Sequence, residues 1–127
     1  MRLGGNVNTT SEGYVEVLVN GLWGGLCDDG FDIFDANVIC KMLNFSTAIV
    51  AFANSAAADL YGVAPSGSNF TVYDLNCRGT ESSVFHCPPT GESTEYCEAS
   101  QIAGVKCAKG KLWSITTVLV PIKVTLD

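Results

Sequence analysis

Residues 21–45 read GLWGGLCDDGFDIFDANVICKMLNF, and within this run lie a tight turn, two cysteines, adjacent carboxylates and a helix. Asn20-Gly21 separates two apolar runs, and that dipeptide readily takes the two positive φ angles of a type I′ turn. Residues 14–19 are therefore expected to pair with residues 22–26 as a β-hairpin. Beyond Cys27 the spacing changes: Ala36, Ile39, Cys40 and Leu43 recur at i, i+3, i+4 and i+7, one face of a helix turned toward a core. Asp32 suits the N-cap, where its carboxylate accepts from free backbone N–H groups, and Asp35 sits in the first turn, where the helix dipole favours negative charge. The spacing predicts a helix over residues 33–43 whose inner face shares one core with Trp23.

Working outward, further short motifs stand in order along the chain. Arg2-Leu3-Gly4-Gly5 opens it, followed by Val15-Glu16-Val17, then Trp23-Gly24, Cys27 to Asp32, Asp35-Ala36 and Val38 to Cys40. Leu75-Asn76-Cys77-Arg78-Gly79-Thr80-Glu81, Ser83 to Cys87 and Ala103-Gly104-Val105-Lys106-Cys107 complete the series. Together these segments, spread over residues 2–107, resemble the signature of scavenger receptor cysteine-rich domains. The resemblance implies an α+β fold: a small, curved, mostly antiparallel β-sheet cradling one main α-helix and tied by three disulfides. It implies pairing of Cys27 with Cys97, Cys40 with Cys107, and Cys77 with Cys87, the six positions of the group A-like subgroup. Phe45 stands where the larger subgroup has an additional cysteine.

Composition agrees with that class. A chain of 127 residues forms one domain of ordinary size with a core of its own. Its six cysteines contain no Cys-x-x-Cys pair and its only histidine is His86, which argues against a zinc ribbon and for disulfides in an oxidising compartment. Three sequons, beginning at Asn8, Asn44 and Asn69, are candidate N-glycosylation sites of an extracellular chain, secreted or part of a membrane protein's ectodomain. Met1 leads directly into Arg2-Leu3-Gly4-Gly5, which resembles a first strand rather than a signal peptide, so an excised piece of a longer chain is expected. Seven basic against thirteen acidic residues give a net charge of −6, which argues against nucleic acid and anionic membrane as direct partners.

Residues 47–67 show no sustained period and are expected to form a long surface loop available for ligand contact. Residues 70–75 read as a strand. Thr80-Glu81-Ser82-Ser83 ahead of Val84 and Phe85 suggests a short capped helical turn. Residues 108–127 fall outside the resemblance: Val118, Val120, Ile122, Val124 and Leu126 alternate as a strand, either docked on the domain or starting another. The apolar run is shorter than the roughly 18 residues needed to cross a bilayer and carries Pro121 and Lys123, so membrane insertion is not expected.

Two candidate sites emerge. Asp28 and Asp29 resemble the carboxylate pair of a family calcium or magnesium site. The position of its third carboxylate is held by the neutral Gln101, with Glu98 a nearby substitute, so only weak calcium binding is expected. Val15, Glu16, Val17, Leu18 and Trp23 resemble a segment engaged in microbial-surface recognition, although Tyr14 stands where a basic residue often precedes it. His86 lacks the nucleophile and orienting partner of a catalytic set, so no enzymatic activity is expected. Function is read as non-catalytic recognition of an extracellular protein, glycan or polyanion, of scavenger or pattern-recognition type, with a cation as the only candidate cofactor. The alternative is an interaction or adhesion module in a larger extracellular protein, such as one with a protease domain. Ligand and oligomeric state are not encoded legibly.

Overall fold

The structure is a computed structural model describing residues 1–5, 10–64, 69–88 and 97–108. Its elements in chain order are β1 (Arg2–Gly4), β2 (Glu12–Val19), β3 (Leu22–Leu26), α1 (Ile33–Met42), β4 (Ala48–Phe52), α2 (Ala56–Tyr61), β5 (Phe70–Val72) and β6 (Gly104–Cys107), with 3₁₀ turns at Val84–His86 and Ala99–Gln101. The hairpin forms as expected: Val19 faces Leu22 across Asn20 and Gly21, whose φ angles are 53° and 79°. Strand order is β4-β6-β2-β3-β5, with β1 also on β2. Among the described residues only the β3–β5 ladder is parallel.

β2 is the hub of the sheet. Its first residues pair with β6, its middle with β1 and its last with β3. Since β6 and β3 share one edge of β2, the sheet curls, and Ala103 closes the gap by accepting from Val15 N and donating to Leu26 O. The strands come close enough here to exclude side chains. A Cβ on Gly13 (φ +151°) would collide with the Gly4 carbonyl oxygen, and one on Gly104 would lie 2.6 Å from the Ala57 methyl.

Alternation along β2 divides the interior in two. Val15 and Val17 point to the main core with Leu26, Ala36, Val38, Ile39 and Val105, whereas Tyr14 joins a second cluster with Ala57, Tyr61, Phe70 and Ile102. Trp23 departs from expectation. It lies on the opposite face of β3 from Leu26, is half-buried, and carries the Arg2 guanidinium 3.9 Å above its ring. The helix begins where Asp32 caps it, its Oδ1 accepting from Phe34 N and Asp35 N while Asp35 Oδ2 accepts from Asp32 N. Ala36, Ile39 and Cys40 are fully buried, but Leu43 is the C-cap and only half-buried, so the inner stripe is one position shorter than expected.

The expected long loop over residues 47–67 is replaced by β4 and α2. β4 is half-buried along almost its whole length, so its sequence AIVAF carries no alternation. α2 has six residues and starts from Ser55 in a left-handed conformation (φ 67°) without a side-chain cap, so the usual start signal is absent. β5 is shorter than the strand expected over residues 70–75. The capped turn is present: Ser83 Oγ accepts from Phe85 N. The strand expected within residues 118–126 and the sequon at Asn8 lie outside the described residues.

All three disulfides form with the implied pairing, closing separations of 70, 67 and 10 residues. In the chain-entropy picture the longest removes about 4 kcal/mol of denatured-state freedom. The short loop closed by Cys77–Cys87 is strapped along α1: Asp35 Oδ1 accepts from Cys77 N (2.9 Å), Lys41 Nζ donates to Gly79 O (2.8 Å) and Met42 Sδ accepts from Val84 N (3.3 Å).

Two outcomes follow. Ile39→Ala is expected to cost about 2–5 kcal/mol in denaturant unfolding, because it empties a site fully enclosed by the core, and Leu43→Ala distinctly less; equal losses would place both side chains in the same surroundings. Burial, and secondarily the Asp32 charge, pushes the Asp35 carboxyl from its ordinary 3.8 up to about 6, outweighing the N–H groups it accepts from. A folded pKa above the unfolded one contributes stability that is fully present below 3.8 and lost as pH rises through 6. The stability gap between wild type and the non-titrating Asp35→Asn is therefore expected to narrow over that window in pH-dependent melting, and a flat gap would show that the carboxyl is not raised.

Candidate functional site

Cys27–Cys97 is the centre around which the acidic residues gather. Strand β3 delivers Cys27, which bridges to Ile102, and Asp28 N donates to Gln101 O at 2.8 Å, so the chain just after β3 lies against the 3₁₀ turn Ala99–Gln101. The fold thus brings together Asp28, Asp29, Glu98 and Gln101, which are far apart in sequence. Asp29 places a carboxylate oxygen within 4.8 Å of both sulfurs of the disulfide. Those sulfurs are bonded to each other and offer no thiolate to a metal, so any cation here would have to be held by oxygens.

Three of the expected donors already have work inside the fold. Asp28 is buried, and its Oδ2 accepts from Ser55 N at 2.9 Å, anchoring the residue from which α2 starts. Burial, and secondarily Asp29, raises its carboxyl above the ordinary carboxylate range. Gln101 Oε1 accepts from Glu98 N at 2.8 Å, turning the amide back onto its own 3₁₀ turn. Glu98 closes a capping box with the backbone of the same turn, and among the described residues the carboxylates of Asp28, Asp29 and Glu98 are not gathered as a ready-made set of three. The oxygens left for a hard cation are those of Asp29 with the remaining capacity of Asp28 and Glu98, far fewer than the six to eight that calcium takes.

The second candidate segment lies on the outer face of the hairpin. Val15 and Val17 are fully buried and cannot touch a ligand, so contact through this segment narrows to the exposed Leu18 and the half-buried Trp23. Glu16 is buried beneath Arg2, whose Nε donates to Glu16 Oε1 at 2.8 Å while the guanidinium stacks on Trp23. Nothing in the sequence around Arg2 marks it as part of this face. The alternation of Glu16 and Leu18 along β2 marks the face, but only the β1–β2 register, Arg2 opposite Glu16, brings the cation there. A cation over an indole adds roughly 0.5–1 kcal/mol when exposed and holds the planar groups in one orientation.

Elsewhere, among the described residues, the ring of exposed His86 meets Ser82 Oγ, 3.2 Å from Nδ1. Glu81 accepts from Arg78 N and Gly79 N, which holds its carboxyl below the ordinary range. Asn44 and Asn69 are both exposed. No helix among the described residues is long and apolar enough to cross a membrane.

Comparison with known proteins matches this geometry. The family model of the scavenger receptor cysteine-rich domain matches residues 4–108. Lysyl oxidase homolog 2 of Mus musculus is 41% identical over 96 residues, covering 76% of this chain and 12% of that protein. The T-cell differentiation antigen CD6 of the same species is 35% identical over 104 residues, 82% of this chain and 15% of the relative. The chain thus spans only a small part of the relatives it matches. Among solved structures, the third such domain of murine neurotrypsin superposes with a TM-score of 0.71 at 33% identity, covering 84% of this chain and 92% of that one. The dimeric form of the mouse MARCO domain gives 0.63 at 34% identity, covering 85% and 94%. With the family model spanning nearly the whole described fold and the three disulfides in place, the chain belongs to the scavenger receptor cysteine-rich domain family.

Proposed function

We propose that this domain is an extracellular recognition module that binds a protein or glycan ligand without chemistry, and that its ligand surface includes the acidic cluster around Cys27–Cys97. The extracellular setting follows from the family and its disulfide frame. The observation that carries the site is the backbone bond from Asp28 N to Gln101 O, which sets the Asp28-Asp29 pair beside the turn that begins at Glu98, with the Asp29 carboxylate against the Cys27–Cys97 sulfurs. With a net charge of −6, an anionic polymer is attracted only through a local cationic group or a cation held by these carboxylates. Arg2 over Trp23 is one such group, and its charge is largely offset by Glu16. A cation held by Asp28, Asp29 and Glu98 would supply positive charge where the bare protein has negative, making polyanion capture calcium-dependent. The neutral Gln101 and its bond to Glu98 N keep that affinity weak.

A second reading, an interaction module inside a larger extracellular protein, is favoured by the small share of lysyl oxidase homolog 2 that the chain spans, and by exposed aromatic rings, Phe34 at 52% and Phe85 at 60%. A protein and glycan array probed with and without calcium separates the two: calcium-dependent anionic ligands support the first, calcium-independent protein ligands the second.

Calorimetric titration tests the cation directly. Wild type is expected to bind calcium at about millimolar strength, as weaker extracellular modules do, with Gln101→Glu tightening it and Asp29→Asn weakening it. Micromolar binding unchanged in both Asp28→Asn and Asp29→Asn would move the site elsewhere.

A further inference from the structure

Two of the three sequons lie among the described residues, and they are built into the fold differently. In the Asn69 sequon, the Asn69 carbonyl accepts from Gly25 N and the Thr71 hydroxyl donates to Val17 O at 2.8 Å, so backbone and hydroxyl both belong to the sheet. The Asn44 sequon leaves its two polar side chains, the Asn44 amide and the Ser46 hydroxyl, outside the hydrogen bonding of the fold. Asn44 follows the C-cap of α1 with φ +73°, a left-handed position that asparagine tolerates better than most residues, and its backbone N donates to Lys41 O. The next residue, Phe45, is buried with its N on Cys40 O, which fixes the chain on both sides of the exposed amide. Among the described residues neither the Asn44 amide nor the Ser46 hydroxyl makes a hydrogen bond that a sugar would have to displace.

We propose that Asn44 carries an N-linked oligosaccharide. Exposure, an amide with no role in packing and a hydroxyl two residues on meet the chemical requirements of the modification in an extracellular chain. The position also suits the acidic cluster. α1 rises about 1.5 Å per residue, so Asn44 stands roughly 15 Å from the Ile33 end of the helix, where Asp28 and Asp29 lie just upstream. The attachment point of a glycan at Asn44 therefore lies at the opposite end of α1 from the chain that carries Asp28 and Asp29.

The test is to secrete the chain from a mammalian cell line behind a cleavable leader and treat it with peptide-N-glycosidase F in heavy-oxygen water. That treatment converts glycosylated asparagine to labelled aspartate, which is mapped by mass spectrometry. Label at position 44 is expected, and unlabelled Asn44 in the secreted, disulfide-bonded chain overturns the proposal while leaving the recognition reading intact. Ser46→Ala is the matching variant, because Asn44→Gln would place glutamine in the left-handed region and confound loss of sugar with strain. It is expected to lose the label at 44 and one glycan's shift in electrophoretic mobility, and an unchanged mobility also overturns the proposal. If Ser46→Ala is not secreted, the wild-type map alone decides.

Discussion

The carboxylate of Asp35 is the contact on which the main architecture turns. It sits 1% exposed at the start of α1, takes the Asp32 N–H with one oxygen and the Cys77 N–H with the other, and so joins the helix cap to the disulfide loop. The Cys77 N–H is buried, so leaving it without an acceptor would cost free energy. A carboxylate is held out of water here by two directed hydrogen bonds, and the cost of that burial is visible in its raised pKa. With Asp35 in place, Lys41 and Met42 meet the loop further along the same helix, and the loop lies flat on α1 instead of standing off it.

The sheet imposes the complementary constraint. Because β2 serves three partner strands, its side chains feed two clusters on opposite faces, and each is closed by a helix: α1 over Val15 and Val17, α2 beside Tyr14. Cys40–Cys107 joins α1 to β6, and Cys27–Cys97 joins the end of β3 to the 3₁₀ turn. Asp28 belongs to this second system as well as to the candidate ligand surface. Its bond to Ser55 N ties the acidic residues to α2, so a change in charge at Asp28 is felt by the helix start as well as by the candidate ligand surface. Asp29, which has no such duty among the described hydrogen bonds, is the cleaner reporter of binding.

Sequence alone determined whatever depends on near neighbours. The Asn20-Gly21 turn, the Asp32 cap and the Ala36, Ile39 and Cys40 face are set by φ preference, capping chemistry and helical period, each acting over a few residues. The order of the motifs supplied the family and with it the disulfide pairing, which no local rule yields. The tertiary structure decided what depends on distant partners. β4 and α2 exist because β6 and the second core give them something to cover, and neither carries a strong signal of its own. Trp23 lies outside the core because β3 alternation and the Arg2–Glu16 register place it on the other face, a relation set by pairing across 14 residues of sequence. Asp28 and Asp29 come to lie beside the turn bearing Glu98 and Gln101 only when the chain closes on Cys27–Cys97. Sequence could name those residues from a resemblance, but which of their oxygens the fold has already used is fixed by backbone donors that come from elsewhere in the chain.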